Sequence, residues 1–146
     1  MPFIEYFATV DRPFAEAEGR LEEVLRSLGL WAGESYRTGE DRTMQLGLGP
    51  IAKSVQVDVG TPTRSGDEWR VPLRWEATGA RRLFPEMHAD LTVEPLGEAT
   101  IVTFRGSYEP PLAGLGRALD RTFLHRVAQL TVKDFVDRIA AAFEEA

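Results

Sequence analysis

The sequence predicts an α+β fold in which a curved antiparallel β-sheet wraps around a long C-terminal α-helix, with one or two short helices after the first strand. Between residues 54 and 108, apolar and polar side chains alternate with period two in four consecutive segments, which is typical of an antiparallel sheet with one dry and one wet face. Beyond Gly116 neither proline nor glycine occurs, which predicts one helix to Glu145, about 28 residues and roughly 42 Å long.

The first elements follow from short-range patterns. Residues 3–10 are rich in aromatic and β-branched side chains and predict a strand. Asp11 is the expected N-cap of a helix with Pro13 in its first turn, and Gly29 is the expected C-cap. Gly19 leaves one helix or two open. The apolar stripe of this region has helical spacing and consists of Phe14, Ala17, Leu21, Val24, Leu25 and Leu28.

The middle of the chain carries weaker signals. Gly33, Gly39 and the polar residues 39–42 predict strand, turn and strand over 31–43, and a further alternating run reaches Leu48 before Gly49-Pro50 breaks it. Residues 61–67 predict a loop, and residues 79–82 and 95–98 predict turns, so the strands form a meander. Pro72 lies on the polar side of its strand, which predicts a sheet edge or a bulge there.

The dry face of the sheet needs a cover, and the C-terminal helix is the only element large enough. Its apolar arc is wide, which predicts that the sheet grips it on more than one side. The face expected to point to solvent consists of His125, Gln129, Lys133, Asp137 and Glu144.

Composition excludes several classes of function. We expect a single domain, residues 1–146, with 43% hydrophobic and 27% charged residues. A net charge of −6 opposes binding to nucleic acid or to an anionic membrane. Without cysteine there is no disulfide, thiol nucleophile or thiolate metal site. The first residues do not form a signal peptide and no run is long enough for a membrane span, so we expect a cytoplasmic protein.

The chain resembles the SRPBCC/START-like superfamily, which includes polyketide cyclase/dehydrase and lipid-transport proteins. The residues that carry the resemblance are Leu83-Phe84-Pro85, LTVEPLG at 91–97, TIVTFRGSY at 100–108 and EPPLAGLG at 109–116, together with the order of elements along nearly the whole chain. The resemblance implies the helix-grip fold and a deep apolar cavity between sheet and helix that holds a hydrophobic small molecule. Members of the superfamily have diverse activities, so function has to be argued from the site.

Few residues in the sequence indicate a catalytic, metal-binding or cofactor-binding site. His88 and His125 both fall on polar faces, and we expect them in solvent and apart. No histidine spacing predicts a metal site and no serine lies in a nucleophile elbow. The pairs Gly47-Leu48-Gly49 and Gly114-Leu115-Gly116 do not complete a dinucleotide fingerprint, so no cofactor is expected. Arg81-Arg82 is more often a solvated hairpin tip than a partner for a ligand's acidic group.

The candidate ligand-binding residues lie on the dry face and on the helix that covers it. They are Trp69, Leu73, Trp75, Met87, Leu91, Phe104, Tyr108, Phe123 and Val127. Buried indole and phenol groups need hydrogen-bond partners, which a ligand in a cavity could supply. These side chains could equally fill a solid core. The predicted dry face from Val55 to Tyr108 has no Asp, Glu, Lys, Arg or His, and general acid–base catalysis needs such a group.

These observations favour binding of a hydrophobic small molecule, such as a lipid, a polyketide or another aromatic metabolite, over catalysis. The alternative is a polyketide aromatase/cyclase-like enzyme that uses the same cavity, with Arg42 or Tyr108 as its ionisable group. A third reading is an interaction module whose core has no ligand-sized pocket. A homodimer through an exposed edge, at the first strand or near Pro72, is left open.

Overall fold

The computed structural model describes residues 3–43, 54–78, 86–108 and 121–145. The elements, in chain order, are β1 (Phe3–Val10), α1 (Phe14–Arg26), α2 (Leu28–Thr43), β2 (Ser54–Val59), β3 (Thr63–Ser65), β4 (Glu68–Thr78), β5 (Met87–Leu96), β6 (Ala99–Tyr108) and α3 (Arg121–Glu144). The strands form one antiparallel sheet in the order β1-β6-β5-β4-β2, with β3 beside β4. The predicted α+β class, with a sheet around a long C-terminal helix, is confirmed.

The meander of β4, β5 and β6 has the register that the alternating pattern predicts. Trp75 lies opposite Met87, Leu91 opposite Phe104 and Met87 opposite Tyr108. The hairpin between β5 and β6 is tight, because Leu96 pairs with Ala99. Gly97 has φ of 61°, a backbone conformation that glycine adopts at little cost.

Pro72 lies in an interior strand, so the predicted sheet edge is wrong there, but the pairing is interrupted beside it. On one side β4 pairs with β2 as far as Leu73 and resumes with β3 at Arg70, which leaves Pro72 between the two partners. The hydrogen-bond ladder on that side of β4 therefore does not require the backbone N–H that proline lacks. The Gly60 N–H donates to the Pro72 carbonyl at 2.8 Å, and this crossing leaves little room for a side chain at position 60.

Strand β3 lies inside the segment predicted as a loop. It pairs Thr63 with Arg70 and Ser65 with Glu68 around a turn at Gly66 and Asp67. Gly66 has φ of 62°, as a tight hairpin turn requires. Three exposed residues carry no apolar alternation, so the sequence had no strand signal here.

Two expectations for α1 are wrong: Asp11 is not its N-cap, and its C-cap is Ser27 rather than Gly29. The helix is continuous through Gly19, where the sequence allowed one helix or two. Pro13 is its N-cap, with no side-chain cap, while the Asp11 backbone N–H donates to Glu144 of α3 at 2.8 Å. Contacts with α3, rather than local capping, therefore fix the start of α1.

Helix α2 replaces the predicted strand, turn and strand over residues 31–43. Leu28, Ala32 and Ser35 are buried at helical spacing, and Glu34 accepts a hydrogen bond from Arg138 of α3 at 2.7 Å. Packing against α3 therefore overrides the low helix propensity of Gly33 and Gly39.

Some predictions lie outside the described residues. They concern the strand at 44–48, the turn at 79–82 with Arg81-Arg82, the helix start at 109–120 and the side chain of Arg42.

Helix α3 spans 24 described residues, roughly 36 Å, and is held from several sides. Its buried face consists of Ala128, Thr131, Val132, Phe135, Val136, Ile139, Ala140 and Phe143. Arg12 and Arg20 donate to backbone carbonyls of its last turns, which ties the N-terminal elements to its end. On the predicted solvent face, Asp137 pairs with Lys133 and also accepts a hydrogen bond from Tyr6 of β1 at 3.0 Å.

Candidate functional site

The inner face of the sheet is apolar, as the sequence predicts. In the described parts of β4, β5 and β6, the inward positions carry no Asp, Glu, Lys, Arg or His, because the charged residues of these strands occupy the alternate positions. Met87, Leu91, Phe104 and Trp75 are each at most 2% exposed, and Leu73 is also buried. A ligand on this face would meet hydrocarbon and aromatic rings.

Three aromatic rings pack against one another in the middle of this interior. The Trp75 ring lies 5.6 Å from that of Phe104 and 5.3 Å from that of Phe135 on α3, with the second contact edge to face. Phe104 and Phe135 lie 6.2 Å apart, also edge to face. These are favourable geometries for aromatic pairs. The trio joins sheet to helix and fills the space between them.

A polar pair lies at one end of this apolar interior. The phenol oxygen of Tyr108, the last residue of β6, is 2.5 Å from Nδ1 of His125 in α3, and the two rings are 5.8 Å apart. Tyr108 is only 3% exposed and His125 is half-buried. Burial raises the pKa of the Tyr108 phenol, which keeps it protonated at neutral pH and able to donate to the imidazole.

The prediction that both histidines lie in solvent is therefore wrong for His125 and right for His88. His88 is exposed on the outer face of the sheet, with Nε2 3.0 Å from the Glu86 carboxylate. His125 lies three residues before the buried Ala128 and seven before the buried Val132, which places all three on one side of the helix. That spacing was the available signal, and the prediction grouped His125 instead with the polar residues four apart.

The pair is positioned where several elements end. Ser54 pairs with Thr78, and Met87 pairs with Tyr108. The start of β2, the end of β4, the start of β5 and the end of β6 therefore lie at the same end of the sheet. Trp75 and Met87 reach this end from β4 and β5, and His125 reaches it from the second turn of α3. The arrangement offers one hydrogen-bonding pair beside an apolar surface. A phenol donating to Nδ1 leaves the imidazole proton on Nε2, free to donate.

The structure separates Trp69 from the other predicted site residues. Trp69 and Trp75 are six residues apart on β4, about 20 Å along the strand. Trp69 is half-buried beneath α1, and its indole N–H donates to Glu18 at 2.7 Å. The same carboxylate oxygen lies 2.7 Å from Arg64 of β3. Phe123 and Val127 lie in α3, but their side chains are outside the described part of the structure.

Two surface grooves are lined by few of the predicted site residues. A groove of about 610 Å³ crosses the outer face of the sheet, where its walls include Asp58, Arg74, His88 and Arg105. A smaller groove of about 340 Å³ lies between α1, Trp31 of α2 and the end of α3.

Among the described residues, no three His, Asp or Glu side chains are grouped closely enough to hold a metal ion. Of the helices in the described ranges, none has the length and apolar character needed to cross a membrane.

Comparison with known proteins supports the fold. The sequence matches no family model and no curated protein. Among solved structures, a conserved protein from Geobacillus kaustophilus has a TM-score of 0.55 at 13% identity, covering 97% of this chain and 95% of that one. The Zhui aromatase/cyclase from a Streptomyces species has a TM-score of 0.52 at 14% identity, covering 98% and 93%. A Thermus thermophilus protein has a TM-score of 0.50 at 17% identity, covering 97% of each chain.

These likenesses extend over the whole chain and establish its architecture. At such low identity they show the fold alone. The chain therefore has the helix-grip fold that its sequence predicts.

Proposed function

We propose that this protein binds a hydrophobic small molecule with one polar group, and that the polar group meets the Tyr108–His125 pair. The observation that carries the proposal is this hydrogen-bonded pair at the end of an inner face on which the described parts of β4, β5 and β6 place no charged side chain. Ligand pockets typically combine apolar walls with a few placed polar groups. A lipid, a polyketide or another aromatic metabolite with a carbonyl or hydroxyl group has the matching chemistry.

The packing of the core supports a ligand position at one end of the molecule. Trp75, Phe104 and Phe135 pack against one another in the middle, so a ligand would lie beside this trio rather than pass through it. Because Met87 and Trp75 are at most 2% exposed, its apolar body would lie at their end of the sheet without entering the core, and its oxygen would accept from Nε2 of His125. The half-buried imidazole is the side from which a ligand can approach, since Tyr108 is enclosed. Phe123 and Val127, which flank His125 in sequence, remain proposed ligand contacts.

Mass spectrometry of an organic extract from the purified protein tests the proposal and identifies the class of ligand. We expect a stoichiometric small molecule in the wild type, a reduced amount in Tyr108→Phe and His125→Ala, and an unchanged amount in His88→Ala. Since an expression host can lack the ligand, an empty extract is followed by titration with fatty acids and with polycyclic aromatic ketones. No binding from either panel would contradict the proposal, as would equal binding by all variants.

The same pair favours a second candidate, an aromatase/cyclase-like enzyme. In the other tautomer, in which Nδ1–H donates to the phenol oxygen, Nε2 can accept a proton from the carbon next to a ketone while the phenol O–H stabilises the developing oxyanion. The Streptomyces protein with this fold is described as an aromatase/cyclase, which supports this class as the alternative. Incubation of an enolisable β-diketone in D₂O separates the two functions. Faster α-proton exchange with wild type than with Tyr108→Phe supports catalysis, and equal exchange supports binding alone.

A further inference from the structure

In the part of the chain that the structure describes, strand β1 has an unpaired edge. It pairs there with β6 alone, over the continuous register from Phe3 opposite Ser107 to Val10 opposite Thr100. It contains no proline, lysine or bulge, the features with which proteins usually protect an edge strand. Phe3 and Phe7, on its outer face, are each 58% exposed. The other edge predicted from the sequence, near Pro72, belongs to the interior strand β4.

The groups at this edge fit only an extended strand, because only a strand can satisfy a row of backbone donors and acceptors. We propose that the partner is the β1 strand of a second copy, paired antiparallel across a two-fold axis. In an antiparallel pair with this symmetry, the odd-numbered side chains of both strands lie on the same outer face. Opposing Phe3 to Phe7 then forms two aromatic cross-strand pairs, each of which stabilises a sheet.

The charges at the axis are compatible with this register. It places the two Glu5 side chains next to each other, where they would repel if unpaired. Each Glu5 carboxylate, however, accepts a hydrogen bond from Arg105 of β6 at 2.7 Å. The centre of the interface therefore holds two acidic and two basic groups. Glu5 is also the only charged residue of β1, so the edges of two chains can approach despite a net charge of −6 on each.

The buried area indicates a weak dimer. An aromatic side chain buries about 150–250 Å² when fully covered, so four rings that are just over half exposed supply on the order of 400 Å². Stable complexes generally bury more than about 1,000 Å². The additional backbone hydrogen bonds favour pairing, but association should depend on protein concentration rather than be permanent.

Sedimentation velocity over a wide concentration range tests the proposal. We expect the mean mass to rise from 16.3 kDa towards twice that value. Phe7→Lys should raise the dimer dissociation constant about tenfold or more, because it removes both aromatic pairs. Arg105→Ala should also weaken the dimer, because it leaves two facing carboxylates unpaired. Leu96→Lys, at a residue of similar exposure on β5, is the matched control and should leave the constant unchanged.

A cross-link tests the same register. Since the chain has no cysteine, Glu5→Cys introduces one thiol, and the two-fold axis brings two such thiols together. Oxidation should give a disulfide dimer for Glu5→Cys and none for Leu96→Cys. A monomer at every concentration, or a dimer equally strong in Phe7→Lys, would overturn the proposal. The proposal would also be overturned if the protein did not self-associate but bound an extended peptide in a way that depends on Phe7. That result would assign the edge to another partner.

Discussion

The phenol oxygen of Tyr108 and Nδ1 of His125 lie 2.5 Å apart, and they join the last residue of a strand to the second turn of the long C-terminal helix. The two residues are 17 positions apart in the chain. Their contact brings a hydrogen-bonding group to an apolar interior, where the inward residues described for β4, β5 and β6 include none that ionises near neutral pH. The proposed ligand site is built on this relationship.

Replacing Tyr108 with phenylalanine separates ligand recognition from folding. The ring remains and continues to fill the core, and water can reach the half-buried imidazole, so we expect the free energy of unfolding to change by no more than about 1 kcal/mol. Ligand affinity should fall about tenfold, because the imidazole loses the partner that orients it. Urea denaturation and ligand titration on the same variant check both expectations. Unchanged affinity would argue against a role for the pair.

Gly106 and Gly33 should respond oppositely to alanine. A Cβ at position 106 would lie 2.9 Å from the Phe104 ring and 3.0 Å from Ala89 Cβ, both within the packed inner face. We therefore expect Gly106→Ala to destabilise the fold by about 1–3 kcal/mol. A Cβ at Gly33, inside α2, meets nothing within 4 Å, so Gly33→Ala should stabilise by roughly 0.5–1 kcal/mol. Thermal denaturation compares them, and stabilisation by Gly106→Ala would refute the close packing of β5 and β6.

Glu18 holds α1 to the sheet at the end opposite Tyr108. Its carboxylate accepts from the Trp69 indole and pairs with Arg64, so Glu18→Ala should cost about 1.5–3 kcal/mol, the range for hydrogen bonds to a charged group. Glu22, one turn further along α1, pairs with Arg26 in a solvent-exposed contact. Glu22→Ala should therefore change stability by less than about 0.5 kcal/mol. Equal losses in chemical denaturation would show that the Trp69 contact contributes nothing specific.

Alkaline pH should destabilise the fold through two tyrosines. Burial raises the pKa of both Tyr6 and Tyr108, and the hydrogen bond to Asp137 adds to the effect at Tyr6. A raised folded-state pKa means that the unfolded chain releases these protons first. The stabilising contribution is therefore complete below about pH 10, the unfolded value, and is lost as the pH rises towards the folded values. Denaturation curves at increasing pH should show this loss, and it should be smaller in the Tyr6→Phe, Tyr108→Phe double variant.

Local patterns in the sequence predicted the sheet because period-two alternation in β4, β5 and β6 directly reflects which face is buried. They failed for α2, where Gly33 and Gly39 indicated turns but packing against α3 stabilises a helix. The inward direction of Trp75, Phe104 and Tyr108 was predictable for the same reason as the sheet. The Tyr108–His125 pair was not predictable, because the second wall of the interior is a helix, and the register of that helix against β6 is set by tertiary packing.

The most direct test of the proposed site is the imidazole NMR spectrum of the protein during ligand titration. The chain has two histidines, so each can be assigned from a single variant, and His88 on the outer face serves as an internal reference. With the extracted molecule, or with a fatty acid or polycyclic aromatic ketone that binds, we predict that the His125 ring signals shift to saturation while those of His88 do not. Binding that leaves His125 unshifted, or that shifts His88 alone, would contradict a ligand site at the Tyr108–His125 pair.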